Sequence, residues 1–190
     1  MRKLKLQMQV SVDGYVAGPN GEMDWMVWDW DDELKNYVKE ITAPVDCILL
    51  GRVLAEGFIP HWAAAATSTD PKENNAFAQV MHNTHKVVFS KTLKKSKWNN
   101  TDLASGKIEE EVDKLKNKSG KDLITYGGAG LASSLIKLGL IDEYHVFVNP
   151  AVLGKGMPIW KEIQNQMKLK LIKTMTSKTG IVALCYEPVR

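Results

Sequence analysis

The sequence predicts an α/β protein built on a mixed, mostly parallel central sheet with helices on both faces. Three observations lead there. Strand patterns alternate with amphipathic helix patterns along most of the chain, the arrangement that parallel strands and their crossover helices require. A short, nearly continuous apolar run over residues 45–50 has the character of a strand buried on both sides. Two final strand patterns, over 169–175 and 181–186, flank Lys178-Thr179-Gly180 and close the chain as an antiparallel hairpin.

The elements follow in order. Residues 4–12 set Leu4, Leu6, Met8, Val10 and Val12 against Lys5, Gln7, Gln9 and Ser11, a strand with one face buried. Asp13-Gly14 and Gly18-Pro19-Asn20-Gly21 are turn clusters, and Trp25, Trp28 and Trp30 crowd the stretch after them. Asp31-Asp32 opens a helix carrying Leu34, Tyr37, Val38 and Ile41 at helical spacing, which stops before Pro44. After the strand over 45–50 comes a short helical pattern, then a small, polar loop over 61–69, a helix over 74–82 and a strand over 86–89. A helix over 108–115, a strand over 122–126, a glycine turn, a helix over 131–138 and a strand over 144–148 complete the middle of the chain. Neither repeat nor linker interrupts the series, so one domain over 1–190 is expected.

Composition narrows the function classes. Of 190 residues, 44% are hydrophobic and 25% charged, with a net charge of +3, which is ordinary for a globular protein. Lys and Arg are scattered among Asp and Glu, so no basic face marks a nucleic-acid binder. Cys47 and Cys185 each sit in an apolar run and are expected as buried thiols. His61, His82, His85 and His145 have no second ligand at metal spacing, so no metal is expected. No segment approaches the roughly 20 apolar residues of a membrane helix, and no signal-peptide core follows Met1; a cytoplasmic location is expected.

Three strand ends carry the chemistry. Tyr126-Gly127-Gly128-Ala129-Gly130 runs from a strand into a helix, where glycines permit close backbone approach and free N–H groups favour an anion. Its glycine spacing is not that of the dinucleotide fingerprint. Leu50-Gly51-Arg52 delivers a guanidinium fork to the carboxyl edge of the sheet, and Phe89-Ser90-Lys91 delivers a hydroxyl and an ammonium. Together they outline a groove for an anionic ligand. Asp13-Gly14 is a strong turn pair in its own right, and Asp31 and Asp32 suit a helix N-cap and first turn. The three tryptophans suit either stacking on a flat ring or covering the core or an interface.

These segments, taken with 11–18, Asp24-Trp25, 140–144 and 150–156 in the order they occur, resemble the reductase domain of the bifunctional riboflavin-biosynthesis deaminase/reductase. They are especially similar to the stand-alone bacterial forms known as dihydrofolate reductase family proteins. The resemblance covers nearly the whole chain. It implies a dihydrofolate-reductase-like, three-layer fold and an NADPH-dependent oxidoreductase, similar to 5-amino-6-(5-phosphoribosylamino)uracil reductase. A dihydrofolate or pterin reductase, or a non-catalytic NADPH-binding protein, are the alternatives. By resemblance, Gly51 and Arg52 contact the cofactor phosphates, Ser90 and Lys91 lie near the adenosine 2′-phosphate, and Gly127, Gly128 and Ala129 cradle the pyrophosphate. Asp13 faces the substrate as the catalytic candidate, with the region of Trp25 beside it, and residues 150–156 border the nicotinamide side. A folate-type enzyme would add one buried acid on its first helix, for which Asp29, Asp31, Asp32 and Glu33 are the candidates. The related domains pair through 140–152 and the C-terminal hairpin, which implies a homodimer.

Overall fold

A computed structural model describes residues 1–73 and 75–189. Its elements are β1 (Leu4–Val10), β2 (Tyr15–Ala17), α1 (Asp32–Thr42), β3 (Val45–Gly51), α2 (Arg52–Thr67), α3 (Ala76–Asn83), β4 (His85–Phe89) and β5 (Thr101–Ala104). They continue with α4 (Ile108–Asn117), β6 (Asp122–Thr125), α5 (Ala129–Lys137), β7 (Glu143–Val148), β8 (Met157–Pro158), β9 (Leu169–Thr176) and β10 (Val182–Pro188).

Eight strands form one sheet in the order β5-β4-β3-β6-β1-β7-β10-β9. Every neighbouring pair is parallel except those made by β10, which runs antiparallel to both β7 and β9. The mixed sheet and the closing hairpin are thus as the sequence indicated. β2 and β8 form a separate two-stranded ribbon. Two apolar cores lie on opposite faces of the sheet. Leu34, Tyr37, Val38 and Ile41 of α1, Ala55 and Ile59 of α2 and Met81 of α3 pack on one face. Val112 of α4 and Leu131, Ala132, Leu135 and Ile136 of α5 pack on the other.

Local chemistry explains the helix starts. Asp31 caps α1 by accepting from the Leu34 N–H, and Asn75 caps α3 by accepting from those of Phe77 and Ala78. The helix expected from Asn74 therefore starts at Ala76, Asn74 itself lying outside the described residues.

Three expectations are corrected. The strand over 4–12 ends at Val10, and both its faces are buried, so Lys5, Gln7 and Gln9 sit inside the protein beneath α1. α2 does not stop near Pro60 but continues to Thr67, through the stretch expected as a loop. Packing overrides the missing N–H of Pro60 there: Trp62 lies edge-on to Phe77 of α3 at 5.3 Å, and Gln79 donates to the Ala66 carbonyl at 2.7 Å. β5, β2 and β8 were not foreseen; each is at most four residues long.

The amino edge of the sheet is an ion network. Lys5 Nζ lies 3.3 Å from Asp122 and 3.8 Å from Glu143, and Lys3 donates to Glu143 at 2.7 Å. The hydrogen bond with His145, followed by the lysines, holds the Glu143 carboxyl down at about 2. A depressed carboxyl stabilises the fold above its ordinary range, and that contribution is lost as pH falls through its folded value. The urea midpoint is therefore expected to drop as pH falls from 4.5 towards 2, and Glu143→Gln to make that drop shallower. An unchanged slope in equilibrium unfolding would remove Glu143 from the network's role.

Candidate active site

The carboxyl ends of β3, β4 and β6 lie side by side. Gly51 at the end of β3 is in register with Phe89 at the end of β4, so Gly51-Arg52 and Ser90-Lys91 leave the sheet next to each other. On its other side β3 pairs with β6, with Leu49 opposite Thr125, and Tyr126-Gly127-Gly128 emerges there. From these ends α2 leaves to one face and α5 to the other. Such a divergence opens the crevice in which α/β sheets bind ligands.

The two helix starts touch. A Cβ on Gly51 would lie 3.4 Å from the Leu131 Cβ in α5, and one on Gly128 would lie 3.4 Å from the Leu54 Cβ in α2. Neither helix has a side-chain cap, and neither has an acid in its first turn. Two sets of unclaimed N–H groups and two positive dipole ends therefore face one place. Gly127 (φ 131°) and Gly128 (φ 76°) hold backbone conformations that only glycine takes without strain.

Around this cradle the remaining residues are placed as follows. Arg52 pairs with Glu56 one turn on, at 2.9 Å, and Lys97 lies 3.9 Å from the same carboxylate. The Ser90 hydroxyl is buried and accepts from the N–H groups of Thr92 and Leu93, which folds the chain into a turn at the strand end. Lys91 is exposed.

Asp13 belongs to a second group, on the β1–β7 side. Its carboxylate accepts from the Ser11 hydroxyl and from the backbone N–H groups of Leu153 and Gly154. The hydrogen bond from Ser11, followed by those from Leu153 and Gly154, pulls its carboxyl below the usual range. The residue thus ties the turn after β1 to the loop that follows β7. Gly156 in the same loop packs so tightly on Ala17 and Tyr15 that a side chain would collide with the backbone.

Trp25 is half-buried and donates from its indole to the Glu22 carbonyl at 3.1 Å. Trp30 packs against Phe147 on the sheet, and Trp28 stacks on Trp30 while staying largely exposed. Of the four acids near α1, Asp29, Asp32 and Glu33 are exposed. Asp31 is fully engaged: one oxygen caps α1, and the other accepts from the Ser177 hydroxyl and the Lys178 N–H. Cys47 and Cys185 are free, buried thiols, and no cluster that could hold a metal occurs among the described residues. No helix among them is long and apolar enough to cross a membrane.

Residues the sequence did not single out complete the neighbourhood. Asn149, just after β7, accepts from the Val27 N–H and donates to the Gln9 side-chain oxygen Oε1, pinning the tryptophan-rich segment to the sheet. Gln7 Oε1 and the Tyr126 hydroxyl are buried with no hydrogen-bond partner among the described residues.

Residues 2–183 match the RibD C-terminal domain family. The chain belongs to that family. Bacillus subtilis YyaP, an uncharacterised protein, is 35% identical over 98% of this chain and 95% of its own length. Among solved structures, the deaminase/5-amino-6-(5-phosphoribosylamino)uracil reductase of Thermotoga maritima superposes with a TM-score of 0.71 at 16% identity, covering 99% of this chain and 57% of that one. Enterococcus faecalis dihydrofolate reductase, solved with NADP(H), does so with a TM-score of 0.64 at 14% identity over 99% of this chain and 97% of its own. The fold is dihydrofolate-reductase-like.

The geometry of Asp13 makes a direct test. Asp13→Ala is expected to raise hydrogen exchange at the Leu153 and Gly154 amides roughly tenfold or more, since each loses a charge-assisted acceptor. Unchanged protection at both amides would show that the loop holds itself.

Proposed function

We propose that this chain is an NADPH-dependent oxidoreductase acting on a small heterocycle, of the 5-amino-6-(5-phosphoribosylamino)uracil reductase kind. The carrying observation is the pair of abutting, uncapped helix N-termini at Gly51 and Gly128. Donors of that kind fit a pyrophosphate, and the residues present suit the cofactor. Gly51, Arg52, Gly127, Gly128 and Ala129 would hold the pyrophosphate. Ser90 and Lys91, on the adjacent strand end, would hold the adenosine 2′-phosphate. The fold shared with the Thermotoga maritima deaminase/reductase and with Enterococcus faecalis dihydrofolate reductase, solved with NADP(H), supports the same class for this family member.

NADPH, when bound, supplies hydride to the substrate. The protein's part is to orient and to exclude water. Asp13 acts in this reading by fixing the loop after β7 beside the reacting rings, with Trp25 nearby. A folate-type reading is disfavoured by Asp31, whose two oxygens are committed to α1 and to the Ser177-Lys178 turn. Cytoplasmic residence of a single domain, with a small-molecule partner, follows from the same reading.

Cofactor choice tests it. Wild-type protein is expected to bind NADPH in preference to NADH, and Lys91→Ala to reduce that preference roughly tenfold, the loss of one charge-assisted contact. An unchanged ratio by calorimetry would remove Lys91 from the site. Absence of NADPH binding altogether would overturn the reading, and binding without turnover on any ring substrate would make the chain a sensor.

We also propose that the protein is a homodimer. Edge strand β9 exposes the neighbouring Leu171 and Ile172, each about half accessible, on its two faces, and an open apolar edge invites pairing. Light scattering at micromolar concentration is expected to give twice the chain mass; a monomer would rule this out.

A further inference from the structure

Arg52 is the first residue of α2, at the helix start that abuts α5. A cation there is opposed by the helix dipole, which favours anions at an N-terminus. Its partner does not repair this. Glu56 Oε1 lies 2.9 Å from Arg52 Nη1, one turn further along, and an acid placed after its cation is the weaker of the two orders on a helix. Helix stability alone does not account for a guanidinium in this position.

A second cation comes to the same oxygen from another part of the chain. The segment after β4 brings Lys97 Nζ to 3.9 Å from Glu56 Oε1. That approach is anchored. Trp98 packs against the core beneath α1 and α2, and the Ser96 hydroxyl holds both its N–H, at 3.2 Å, and its carbonyl, at 3.0 Å. Lys97 lies over the Trp98 ring, 5.0 Å from its centroid, which restrains the ammonium further. Together α2 and residues 90–100 carry five Lys and Arg side chains, Arg52, Lys91, Lys94, Lys95 and Lys97, and a single acid, Glu56. The three paired groups stay open to solvent, Arg52 and Glu56 at 40% and Lys97 at 58%, so an outside anion can reach them.

One carboxylate between two cations leaves a positive charge over, and a dianion would cancel it. A phosphate monoester carries about −1.5 to −2 at pH 7, whereas a pyrophosphate bridge carries one charge per phosphorus. We propose that Glu56 is an internal counter-anion standing in for a phosphate monoester between Arg52 and Lys97, and that it limits how tightly that monoester is held. The proposal rests on the reductase reading for the ligand's identity, the adenosine 2′-phosphate of NADPH, which that reading sets on the neighbouring Ser90-Lys91 turn. In the free protein Glu56 keeps the two cations close together and neutralised. The monoester takes over their donors, and Glu56 is left facing it as a like charge. A ligand without the monoester meets no such opponent. Glu56 is thus a specificity-determining residue that works by restraint, and because exposed ion pairs are weak the exchange runs easily in both directions.

The test is calorimetry on the whole chain with NADPH, NADH and adenosine 2′-monophosphate. Glu56→Gln is expected to tighten NADPH and adenosine 2′-monophosphate roughly fivefold, the scale of one exposed ion pair, and NADH by less than about twofold. Lys97→Gln should weaken the first two by roughly the same factor, and in the double variant the gain from Glu56→Gln should shrink. That gain should also fall as salt rises from about 0.05 to 0.5 M, since exposed charges are screened. Glu56→Ala, a good helix former, is the second variant should Glu56→Gln lower the melting temperature. NADPH unchanged or weakened in both Glu56 variants, or NADH tightened as much as NADPH, would overturn the proposal. If NADPH is preferred over NADH and neither ligand responds to Glu56, this inference fails and the reductase reading stands. If adenosine 2′-monophosphate responds to Glu56 and Lys97 as stated but NADPH does not bind, the reverse holds.

Discussion

The structure turns on β1, a strand paired in parallel on both sides and covered on both faces. Its even-numbered residues, Leu4, Leu6, Met8 and Val10, belong to the α4–α5 core. Its odd-numbered ones are polar and buried beneath α1, and buried polar groups must find partners or cost stability. Three solutions run along the strand in order. Lys5 is answered by Asp122, Glu143 and the Ile41 carbonyl, which creates the ion network at the amino edge. Gln9 is answered by Asn149, which in turn fastens the segment carrying the tryptophans. Gln7, between them, is left with an open acceptor.

The two ends of the sheet differ accordingly. At the amino edge, charges are matched within the protein: Arg2 with Asp46, Lys116 with Asp142, Lys3 and Lys5 with Glu143. At the carboxyl edge, the protein leaves positive potential uncancelled. α1 and α3 have side-chain caps, whereas α2 and α5, whose starts touch, have none. Arg52 is paired with Glu56, both side chains being 40% exposed. An exposed pair of that kind is worth at most about 1 kcal/mol, so handing the guanidinium to a phosphate costs little.

Much of this was legible in the sequence, and the exceptions share a cause. The glycines at the ends of β3 and β6, the Asp31 cap and the closing hairpin are local signals, and each sits where its chemistry indicated. What depended on distant packing was not visible. β5 is a four-residue edge strand containing the exposed Asp102, with no periodicity to detect. β2 and β8 pair because Asp13 and Gly156 bring their loops together. α2 outlasts Pro60 because Trp62 and Ala66 are gripped by α3. The period-2 pattern of β1 was correct, but polarity was mistaken for exposure. The orphaned atoms of Gln7 and Tyr126 could not be read from it, since an orphaned atom exists only once the chain is folded.

The same logic accounts for how the acids of α1 are used. A carboxylate facing a ring from beneath α1 would need burial and a cationic partner to stay ionised, because desolvation penalises the charge. Asp31 avoids this by turning outward: the Leu34 N–H and the Ser177-Lys178 turn hold its carboxyl below the usual range, and it locks α1 to the β9–β10 hairpin. With that acid spent on architecture, the interior of the α1–α2 face is left with an amide and a phenol as its open groups. Neither needs a counterion. A buried neutral group costs far less than a buried charge, so the fold tolerates both beside the glycines that meet α2.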